Sequence, residues 1–401
     1  MSRFDPLLFA VLATSIAVLV IENVTVVDAT GAREGPLTIE NGRIERIGKA
    51  PDDPDDVIDG GGGVVAPGLI DSHVHVSMDG RADTASLTAQ SPSMLAYRAA
   101  ANLERTVRAG VTTVRDLGSP GTLGPDTRDA IAEGIIQGPR VVPCGSPVVI
   151  TGGHGHWFGR EADGPAEVRK AVREQLKNGA EVIKTMASGG VLTEGADIGG
   201  HEMSPDELET LVATANAKDR PTAAHCHSTE SIANATTAGI DSVEHGTFMD
   251  DATAAAMADA GTYWVPTASA LHGIVEHGTD AGIPDWAVAK AREATDAFED
   301  AWTHALDHDV PIAMGTDAGT PFNDHADAAH ELELMVEYGL SAERAFAAAT
   351  VNAADLLGLD DVGTLDPGSR ADCVVLDSDP REDESAYHDP QAVVADGTVV
   401  R

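Results

Sequence analysis

Apolar and polar residues alternate in short runs near both ends of the chain, and this pattern predicts β-strands joined by tight turns. Val20–Asp28 is one such run, and Leu37–Ile47 is a hairpin pattern centred on Asn41 and Gly42. An Asn-Gly pair between alternating apolar residues is the strongest short-range hairpin signal. Similar runs near the other end are Ala371–Asp377 and Val393–Val400, the latter around an Asp-Gly turn. We expect the two ends to pack together as one small β-sandwich.

The long middle of the chain alternates short apolar runs with segments of helical periodicity. Helical spacing of apolar residues is found in Met94–Ala109, Pro165–Asn178, Pro205–Ala217 and Asp250–Ala260. A long alternation of strands and helices is typical of a parallel (β/α)8 barrel, which takes roughly 250 residues. The apolar runs predicted to be its eight strands are Leu69–Val76, Val111–Asp116, Arg140–Pro143, Val182–Met186, Pro221–His225, Ser242–His245, Tyr263–Thr267 and Pro311–Asp317.

The chain is therefore predicted to be an α/β protein, a TIM barrel with a small β-sandwich built from both chain ends. The predicted boundaries are an N-terminal extension at residues 1–18, the first sandwich segment at 19–65, the barrel at 66–361 and the second sandwich segment at 362–401. The extension contains most of an apolar run, Leu7–Ile21, which is short for a bilayer span of about 20 residues. A mis-assigned start codon is the preferred explanation of this extension, and a signal peptide or membrane anchor is the alternative.

Acidic residues dominate the charge of the chain. Its 401 residues include 65 Asp and Glu against 26 Lys and Arg, which gives a formal net charge of −39. A field of this sign repels phosphate groups, so nucleic acid is excluded as a partner and an anionic membrane is not expected to bind. An acidic, lysine-poor composition is typical of halophilic proteins, since salt screens the self-repulsion. An ordinary acidic protein is the alternative.

The three cysteines give no sign of a disulfide framework. Cys144, Cys226 and Cys373 are odd in number and far apart in the chain, and they lack the spacing of a zinc finger. Scattered cysteines of this kind are typical of a reducing compartment. We therefore expect a cytoplasmic protein.

Candidate chemistry is concentrated at the ends of five of the predicted strands. His73 and His75 lie two residues apart, so that on a strand their side chains point to the same face. The carboxyl ends of the strands form the active site in TIM-barrel enzymes, so these groups are expected to meet at the barrel mouth. Imidazole and carboxylate are ligands that zinc prefers. The predicted metal-binding group contains His73, His75, Lys184, His225 or His227, His245 and Asp317.

Lys184 is unusual because it lies inside an apolar strand. Burial lowers the pKa of a lysine until the neutral amine dominates, and a neutral amine can take up CO2 as a carbamate. A carbamate is an anion with two oxygens that can bridge two cations. The alternative is a lysine that is paired with an acid or reaches out to the barrel mouth.

Five strings along the chain resemble the metal-dependent amidohydrolase superfamily, and most of all its imidazolonepropionase-like branch, which includes binuclear Xaa-Pro dipeptidases and N-acyl amino acid hydrolases. The resemblance extends from about Leu19 to Arg401. Its metal motifs are specific, but its substrate signature is not. The strings are Ala66–His75 (APGLIDSHVH), Ile183–Gly190 (IKTMASGG), Ala224–His227 (AHCH), Val243–Gly246 (VEHG) and Met314–Ala318 (MGTDA).

The resemblance implies two divalent metal ions, with zinc as the expected metal. His73, His75 and Asp317 would hold the first ion, His225 and His245 the second, and a carboxylated Lys184 would bridge both. Imidazolonepropionases are similar in fold but use one metal and no carbamate, so the IKTMASGG string favours the dipeptidase-like group. His227 shares a face with His225 and is the alternative ligand; otherwise we expect it to contact substrate.

This ligand set predicts a hydrolytic mechanism. Two metal ions lower the pKa of the water between them and so supply hydroxide near neutral pH. Asp317 is the expected catalytic proton carrier, from that water to the leaving nitrogen. Lys184 takes part in catalysis as the carbamate that holds the two ions together.

Substrate contacts are predicted from the segment Thr151–Arg160 (TGGHGHWFGR), whose TGGHG string resembles that of relatives in which the histidine lies near the substrate. His154 is therefore a candidate substrate contact. Arg160 and Arg115 are candidate partners for a substrate carboxylate, with ordinary salt bridges as the alternative. The Gly-containing segment Val191–Met203 is a candidate lid or a long surface loop.

The predicted function is hydrolysis of a C–N amide bond in a small molecule, a Xaa-Pro dipeptide or an N-acyl amino acid. Hydrolysis of a cyclic amide resembling imidazolonepropionate, or of a carbamate, is the alternative. A nonenzymatic relative is a remote alternative, because such a protein should have lost metal ligands and none is missing here. We also expect a homo-oligomer.

Overall fold

The computed structural model describes residues 18–401 of the chain. The predicted extension at residues 1–18 lies outside the described residues except for Val18, which begins the first strand. No helix in the described part of the chain is long and apolar enough to cross a membrane.

The N-terminal segment is a series of short strands. The single run Val20–Asp28 is in fact two strands, because Asn23 adopts a positive φ of 55° that ends the first one. The predicted hairpin is confirmed: its two strands pair antiparallel around Asn41 and Gly42, both with positive φ. The strands are β1 (Val18–Glu22), β2 (Thr25–Asp28), β3 (Gly31–Glu34), β4 (Leu37–Glu40), β5 (Arg43–Ile47), β6 (Asp56–Asp59) and β7 (Val64–Pro67).

The middle of the chain contains two parallel sheets, and each of the first seven predicted runs overlaps a strand. One sheet has the order β10-β9-β8 and the other the order β12-β11-β13-β14-β15-β16. The strands are β8 (Leu69–Val74), β9 (Val111–Asp116), β10 (Arg140–Pro143), β11 (Val148–Val149), β12 (Arg160–Glu161), β13 (Ile183–Met186), β14 (Thr222–Cys226), β15 (Ser242–His245) and β16 (Tyr263–Val265).

The eighth predicted run, Pro311–Asp317, is extended but forms no regular strand. On one side Trp264 N–H donates to Pro311 O over 2.8 Å, and on the other Ser72 N–H donates to Met314 O over 2.9 Å. The run therefore lies between β16 and β8 and bonds to both. The fold is α/β, as predicted, while closure of all eight strands into one barrel stays a prediction.

Helices connect the parallel strands and cover their outer face. The four predicted helices are confirmed to within two residues at each end, and Ser91 and Ser204 cap two of them. The helices are α1 (Pro92–Arg108), α2 (Leu123–Ala132), α3 (Gly164–Lys177), α4 (Pro205–Asn216), α5 (Thr229–Ala238), α6 (Asp251–Ala260), α7 (Ala268–His277), α8 (Asp285–Asp307), α9 (Ala328–Glu337), α10 (Ala342–Ala348) and α11 (Val351–Leu357). Short 3-10 turns span Thr84–Ala89, Thr279–Ala281 and Ala386–His388.

The C-terminal segment joins the first one in a single sheet. Its strands are β17 (Cys373–Leu376), β18 (Ala392–Ala395) and β19 (Thr398–Val399), and the sheet order is β19-β18-β17-β7-β2-β3. A second sheet, β5-β4-β1-β6, contributes Ile21 and Ile39 to the apolar cluster that also holds Val26 and Val375. The two chain ends therefore share one core, and their description as a separate β-sandwich domain stays a prediction.

The side chains of β15 alternate between the two faces of the sheet, and this alternation directs polar groups towards the site. Val243 packs in the apolar cluster with Leu211 and Ile232 of the covering helices. Ser242 and Glu244 point to the opposite face of the sheet, where both bond to Arg115. Apolar residues therefore fix the strands from outside, while the inner face is free to carry polar chemistry.

Candidate metal centre

Ligand atoms of His73, His245 and Asp317 all lie within 4.8 Å of one another. Asp317 Oδ1 is also 3.2 Å from His75 Nε2 and 3.4 Å from His73 Nε2. This oxygen is buried and makes no hydrogen bond within the described part of the chain. A buried carboxylate oxygen without a donor is costly, and a divalent cation would satisfy it.

Two of these residues are held in an unusual backbone conformation. His245 has a φ of 67° and Asp317 a φ of 58°, in the left-handed region that costs a non-glycine residue about 1–3 kcal/mol. Neighbouring bonds hold both in place: Trp264 Nε1–H donates to His245 O over 2.8 Å, and Asp317 N–H donates to His73 O over 2.7 Å. Strain of this kind is concentrated at functional sites, which agrees with the predicted ligand roles.

In three histidines the hydrogen bond is made by Nδ1, which leaves Nε2 available as a ligand. His73 Nδ1 lies 2.8 Å from Glu244 Oε2, and His75 Nδ1 lies 3.1 Å from Gly118 O. Both partners accept only, so each ring carries its proton on Nδ1. His245 Nδ1 lies 2.7 Å from Thr267 Oγ1, whose own proton goes to the Pro266 carbonyl. Each of these rings therefore presents an Nε2 lone pair, as a metal ligand requires.

His225 is oriented in the opposite sense. Its Nε2 lies 3.2 Å from the Gly189 carbonyl oxygen, which assigns the ring proton to Nε2 and leaves the Nδ1 lone pair free. The ring centroid is 4.5 Å from that of His245 and 4.5 Å from that of His227. His225 thus lies beside His245, as the predicted second metal requires.

Burial favours the neutral form of four imidazoles of the site. It lowers the pKa of His73 to about 4 and that of His227 to about 4, and it lowers the pKa of His225 and His245 well below the ordinary value. Neutral rings at pH 7 offer lone pairs rather than charge, which suits cation binding. Burial also lowers the pKa of His75, but the Asp317 carboxylate outweighs it, so the net shift is upward.

The carboxylate and the lysine complete the donor set. Burial raises the pKa of Asp317, but the neighbouring His73 and His75 rings outweigh it and the net shift is downward. Lys184, on β13, is 2% exposed and lines the same cavity. Among residues 18–401, no carboxylate lies within ion-pair distance of its Nζ, and burial lowers its pKa. The paired-lysine alternative is therefore not observed. The group of His73, His245 and Asp317 fits a divalent ion, and a second ion stays a prediction.

Glu244 is a site residue that the sequence analysis quoted in a motif but did not assign. It is fully buried, accepts from Ser242 Oγ over 2.5 Å, and pairs with Arg115 Nη2 over 2.9 Å and with His73 Nδ1. Burial raises its pKa, but Arg115 and His73 outweigh it and lower the pKa to about 2. Its position next to a predicted ligand, on the inward face of a strand, was the signal that could have identified it.

Arg115 is not available to a substrate. Its guanidinium donates to Ser72 O over 2.5 Å, to Ser242 Oγ over 3.0 Å and to Glu244, and the residue is 0% exposed. It does not line the cavity. The structure therefore contradicts its expected role as a carboxylate contact. Its guanidinium N–H groups donate to three acceptors within the sheets, and its charge stabilises the Glu244 carboxylate instead.

Arg160 is also remote from the cavity. It lies on β12, half-buried, and its Nε donates to Glu174 Oε2 of α3 over 2.8 Å. Within the described residues it is absent from the cavity lining, so its expected contact with substrate is contradicted as well. The ordinary salt bridge, the alternative considered for both arginines, is what the structure contains.

His154 and His227 do line the cavity. His154 Nδ1 lies 2.8 Å from Thr193 Oγ1, its backbone N–H donates to Glu202, and its ring packs 4.4 Å from that of His225. Burial lowers its pKa to about 3. His227 Nδ1 lies 2.7 Å from Thr247 Oγ1. Both predicted substrate contacts therefore lie beside the predicted metal ligands, and burial favours the neutral form of both.

The predicted metal ligands, His154 and His227 all line one cavity that is open at its mouth. The histidines, Lys184 and Asp317 form one face of it. The remaining lining residues are mostly apolar, with several threonines: Met78, Thr84, Trp157, Phe158, Met186, Val191, Leu192, Thr247, Pro266, Thr267, Ala270, Leu271, Ile274 and Thr320. A few polar groups beside a mostly apolar lining are typical of a small-molecule binding site.

A model of the amidohydrolase family matches residues 64–400 of the chain. Among curated proteins, the ochratoxinase of Aspergillus niger is 32% identical over 362 residues, which cover 82% of this chain and 73% of the ochratoxinase. The family match spans both parallel sheets and the C-terminal strands.

Solved structures of similar proteins cover nearly the whole chain. A Xaa-Pro dipeptidase with methionine bound in its active site is 31% identical, with a TM-score of 0.87 and coverage of 96% of this chain and 99% of that one. A prolidase in complex with N-methylphosphonate-L-proline is 30% identical, with a TM-score of 0.89 and coverage of 96% and 100%.

Proposed function

The chain belongs to the amidohydrolase family and is a hydrolase of carbon–nitrogen bonds, and on that premise we propose that it cleaves the amide bond of a Xaa-Pro dipeptide or an N-acyl amino acid. The observation that carries the proposal is the group formed by Asp317, whose buried Oδ1 has no hydrogen bond within the described residues, and the imidazoles of His73 and His245, whose pKa values burial lowers. The Xaa-Pro dipeptidase and the prolidase among its relatives support this substrate class.

In this proposal two divalent ions, expected to be zinc, bind at the polar face of the cavity. His73, His75 and Asp317 would hold one ion, and His225 and His245 would hold the other, with Nδ1 of His225 and Nε2 of His245 as the atoms that their hydrogen bonds leave available. Lys184 would contribute to both sites if it is carboxylated. When bound, such a pair acidifies a water and polarises the scissile carbonyl.

The protein's own residues then transfer the proton and bind the substrate. Asp317 takes the proton of the attacking water and gives it to the leaving nitrogen, because an amide leaves poorly without a proton. His154 and His227 are neutral and face the cavity, so each offers one hydrogen bond to the substrate carbonyl or to a free carboxylate. Glu244 keeps the His73 ring in the tautomer that can bind a cation.

A cyclic amide or a carbamate is the second candidate substrate class. It is favoured by the absence of arginine from the cavity lining among residues 18–401, since arginine is the usual partner of a substrate carboxylate. Under this alternative His154 and His227 would bond to neutral carbonyl groups, and no free carboxylate would be required.

A hydrolysis screen tests the proposal. We would assay the zinc-loaded protein in molar salt against Xaa-Pro dipeptides, N-acyl amino acids, their carboxamide analogues and imidazolonepropionate. Release of an amino or imino acid from the first two classes is the expected result. If only imidazolonepropionate is hydrolysed, the proposed substrate class is wrong and the cyclic-amide alternative is correct. We further propose that the protein is a cytoplasmic homo-oligomer from a halophile, consistent with its net charge of −39.

A further inference from the structure

The cavity has a second face of very different chemistry. Six large apolar side chains form it: Trp157, Phe158, Met186, Leu192, Leu271 and Ile274. Among the described residues that line the cavity there is no arginine, glutamate, asparagine or glutamine. A part of the substrate that reaches this face therefore meets no charged group beyond the metal-binding residues.

This apolar face adjoins the reacting centre. The Phe158 ring stands edge-on to His75, with 5.9 Å between ring centroids, and Trp157 packs on Phe158 at 4.4 Å. A ring or alkyl chain carried by a substrate amide would reach this pair while its carbonyl stays at the polar face. The two faces are thus parts of one binding site.

A loop covers the apolar face, and we call residues 190–198 the roof segment. Val191 and Ile198 are buried against Ile274 of α7 and Val288 of α8, and Leu192 projects into the cavity. The segment belongs to the candidate lid, and in the structure it is packed against the helices. Its Thr193 hydroxyl is also the partner of His154 Nδ1.

Lys290 holds the roof segment from α8. Its ammonium donates to the carbonyl oxygens of Gly190 over 3.1 Å, of Thr193 over 2.9 Å and of Ala196. Three carbonyl oxygens that accept from one ammonium fix the segment strongly, because each of these hydrogen bonds has a charged donor. The side chain itself lies over the Trp286 ring at 5.3 Å.

From these contacts we propose that the apolar face is a specificity subsite for one bulky apolar substituent of the amide substrate, an aromatic ring or a long aliphatic chain, and that Lys290 is the positioning residue that holds its roof. The inference rests on the proposed function, because the substituent belongs to the amide that is cleaved. It adds a criterion that the metal-binding residues do not supply: small polar amides are poor substrates.

The expected selectivity follows from burial of apolar surface. Each methylene that is removed from water contributes about fourfold in binding. An N-hexanoyl group has four more methylenes than an N-acetyl group, so even partial burial should give at least about a tenfold preference.

Paired substrate series test the subsite. One series compares N-acetyl, N-hexanoyl and N-benzoyl derivatives of one amino acid, and the other compares N-acetyl derivatives of glycine, leucine and phenylalanine. We expect kcat/KM to rise at least about tenfold along at least one series. Equal kcat/KM along both series would overturn the subsite while leaving amide hydrolysis intact.

A binding measurement separates this inference from the proposed function. Calorimetric titration of the same compounds, and of non-cleavable ketone analogues of them, reports affinity without turnover. Tighter binding of the bulkier compounds in the absence of any hydrolysis would refute the proposed reaction and keep the subsite. Equal affinities, or no binding of any compound, would overturn the subsite.

Roof variants provide the second test. Leu192→Ser and Lys290→Met should each lower kcat/KM for the bulky substrate about tenfold more than for its N-acetyl counterpart, and Lys290→Arg should recover part of that ratio. Matched controls are Ile135→Ser, at a site that is 69% exposed, and Arg292→Met, an exposed cation on the same helix as Lys290. An equal loss on both substrates would mean that the roof serves stability alone, and the inference would fail.

Discussion

Glu244 Oε2 lies 2.8 Å from His73 Nδ1, although the two residues are 171 positions apart in the chain. The same carboxylate pairs with the buried Arg115. One acid thus balances a buried cation and fixes the tautomer of a predicted metal ligand. A partner of this kind is typically worth 10–100-fold in metal affinity.

Glu244→Gln should therefore weaken both metal binding and folding. The amide loses the charge that Arg115 needs and accepts less strongly from His73. We expect metal affinity to fall about 10–100-fold, measured by competition with a chelator. The free energy of unfolding should fall by about 3–5 kcal/mol, because a buried guanidinium is left unpaired. Glu276→Gln, at an exposed site, is the control, and unchanged metal affinity in Glu244→Gln would argue against the tautomer role.

Lys184→Ala should lose activity together with bound metal. Metal analysis of the wild type should approach two ions per chain, and a chelator should abolish activity until zinc is returned. The variant should hold fewer ions, with partial recovery on addition of a short carboxylic acid that replaces the carbamate.

Lys184→Arg is the decisive comparison for this residue, because a guanidinium cannot form a carbamate or bind a cation. Near-full activity of this variant would disprove the bridge. Lys177→Ala, an exposed lysine on α3, controls for loss of a positive charge.

His227→Asn tests recognition of a substrate carboxylate. The carboxylate lies away from the bond that is cut, so loss of its partner should raise KM more than it lowers kcat. The wild type should prefer a free acid over its carboxamide, and the variant should lose most of that preference. Equal turnover of acid and amide by the wild type would discard the carboxylate pocket and favour cyclic amides or carbamates.

His325 should give the protein a pH-dependent stability. Burial lowers its pKa to about 4, and its Nε2 lies 2.9 Å from the Met78 carbonyl oxygen. Between pH 4 and about 6.5 the unfolded chain binds a proton at this residue that the folded chain does not. Its contribution to the free energy of unfolding therefore rises with pH in this window and is lost as the pH falls.

His325→Gln, which keeps a donor to Met78 O, should make the pH dependence shallower. The expected change is at most about 1.4 kcal/mol per pH unit between pH 4 and 6.5, measured by urea unfolding of the metal-free protein. The control is His277→Gln at an exposed site. An identical slope in His325→Gln and the wild type would show that His325 titrates alike in both states.

Salt should control the stability of the whole chain. At a net charge of −39, dilution of potassium chloride from molar to tens of millimolar removes screening and exposes the self-repulsion. We expect a large fall in the unfolding temperature, and loss of activity in dilute buffer. Full stability at low salt would contradict a halophilic origin.

The local patterns of the sequence were sufficient for most of the strands, for four of the helices and for the choice of most of the proposed metal ligands. His73 and His75 follow from strand alternation, and the Asn41-Gly42 hairpin follows from the backbone freedom of its two residues. Short-range geometry of this kind depends on neighbours in the chain. The eighth run, Pro311–Asp317, was the exception among the eight strands predicted for the barrel, since its bonds to β16 and β8 do not form a regular ladder.

Long-range partnerships were decided by tertiary structure alone. Arg115 and Arg160 had the right charge for a substrate carboxylate, but packing gave each of them an acidic partner away from the cavity. Packing likewise brought Thr267 to His245 and Lys290 to the roof segment. A sequence shows which residues can donate, accept or ligate; which partner each one meets depends on how elements a hundred residues apart are packed, because hydrogen bonds and ion pairs act only over a few ångströms.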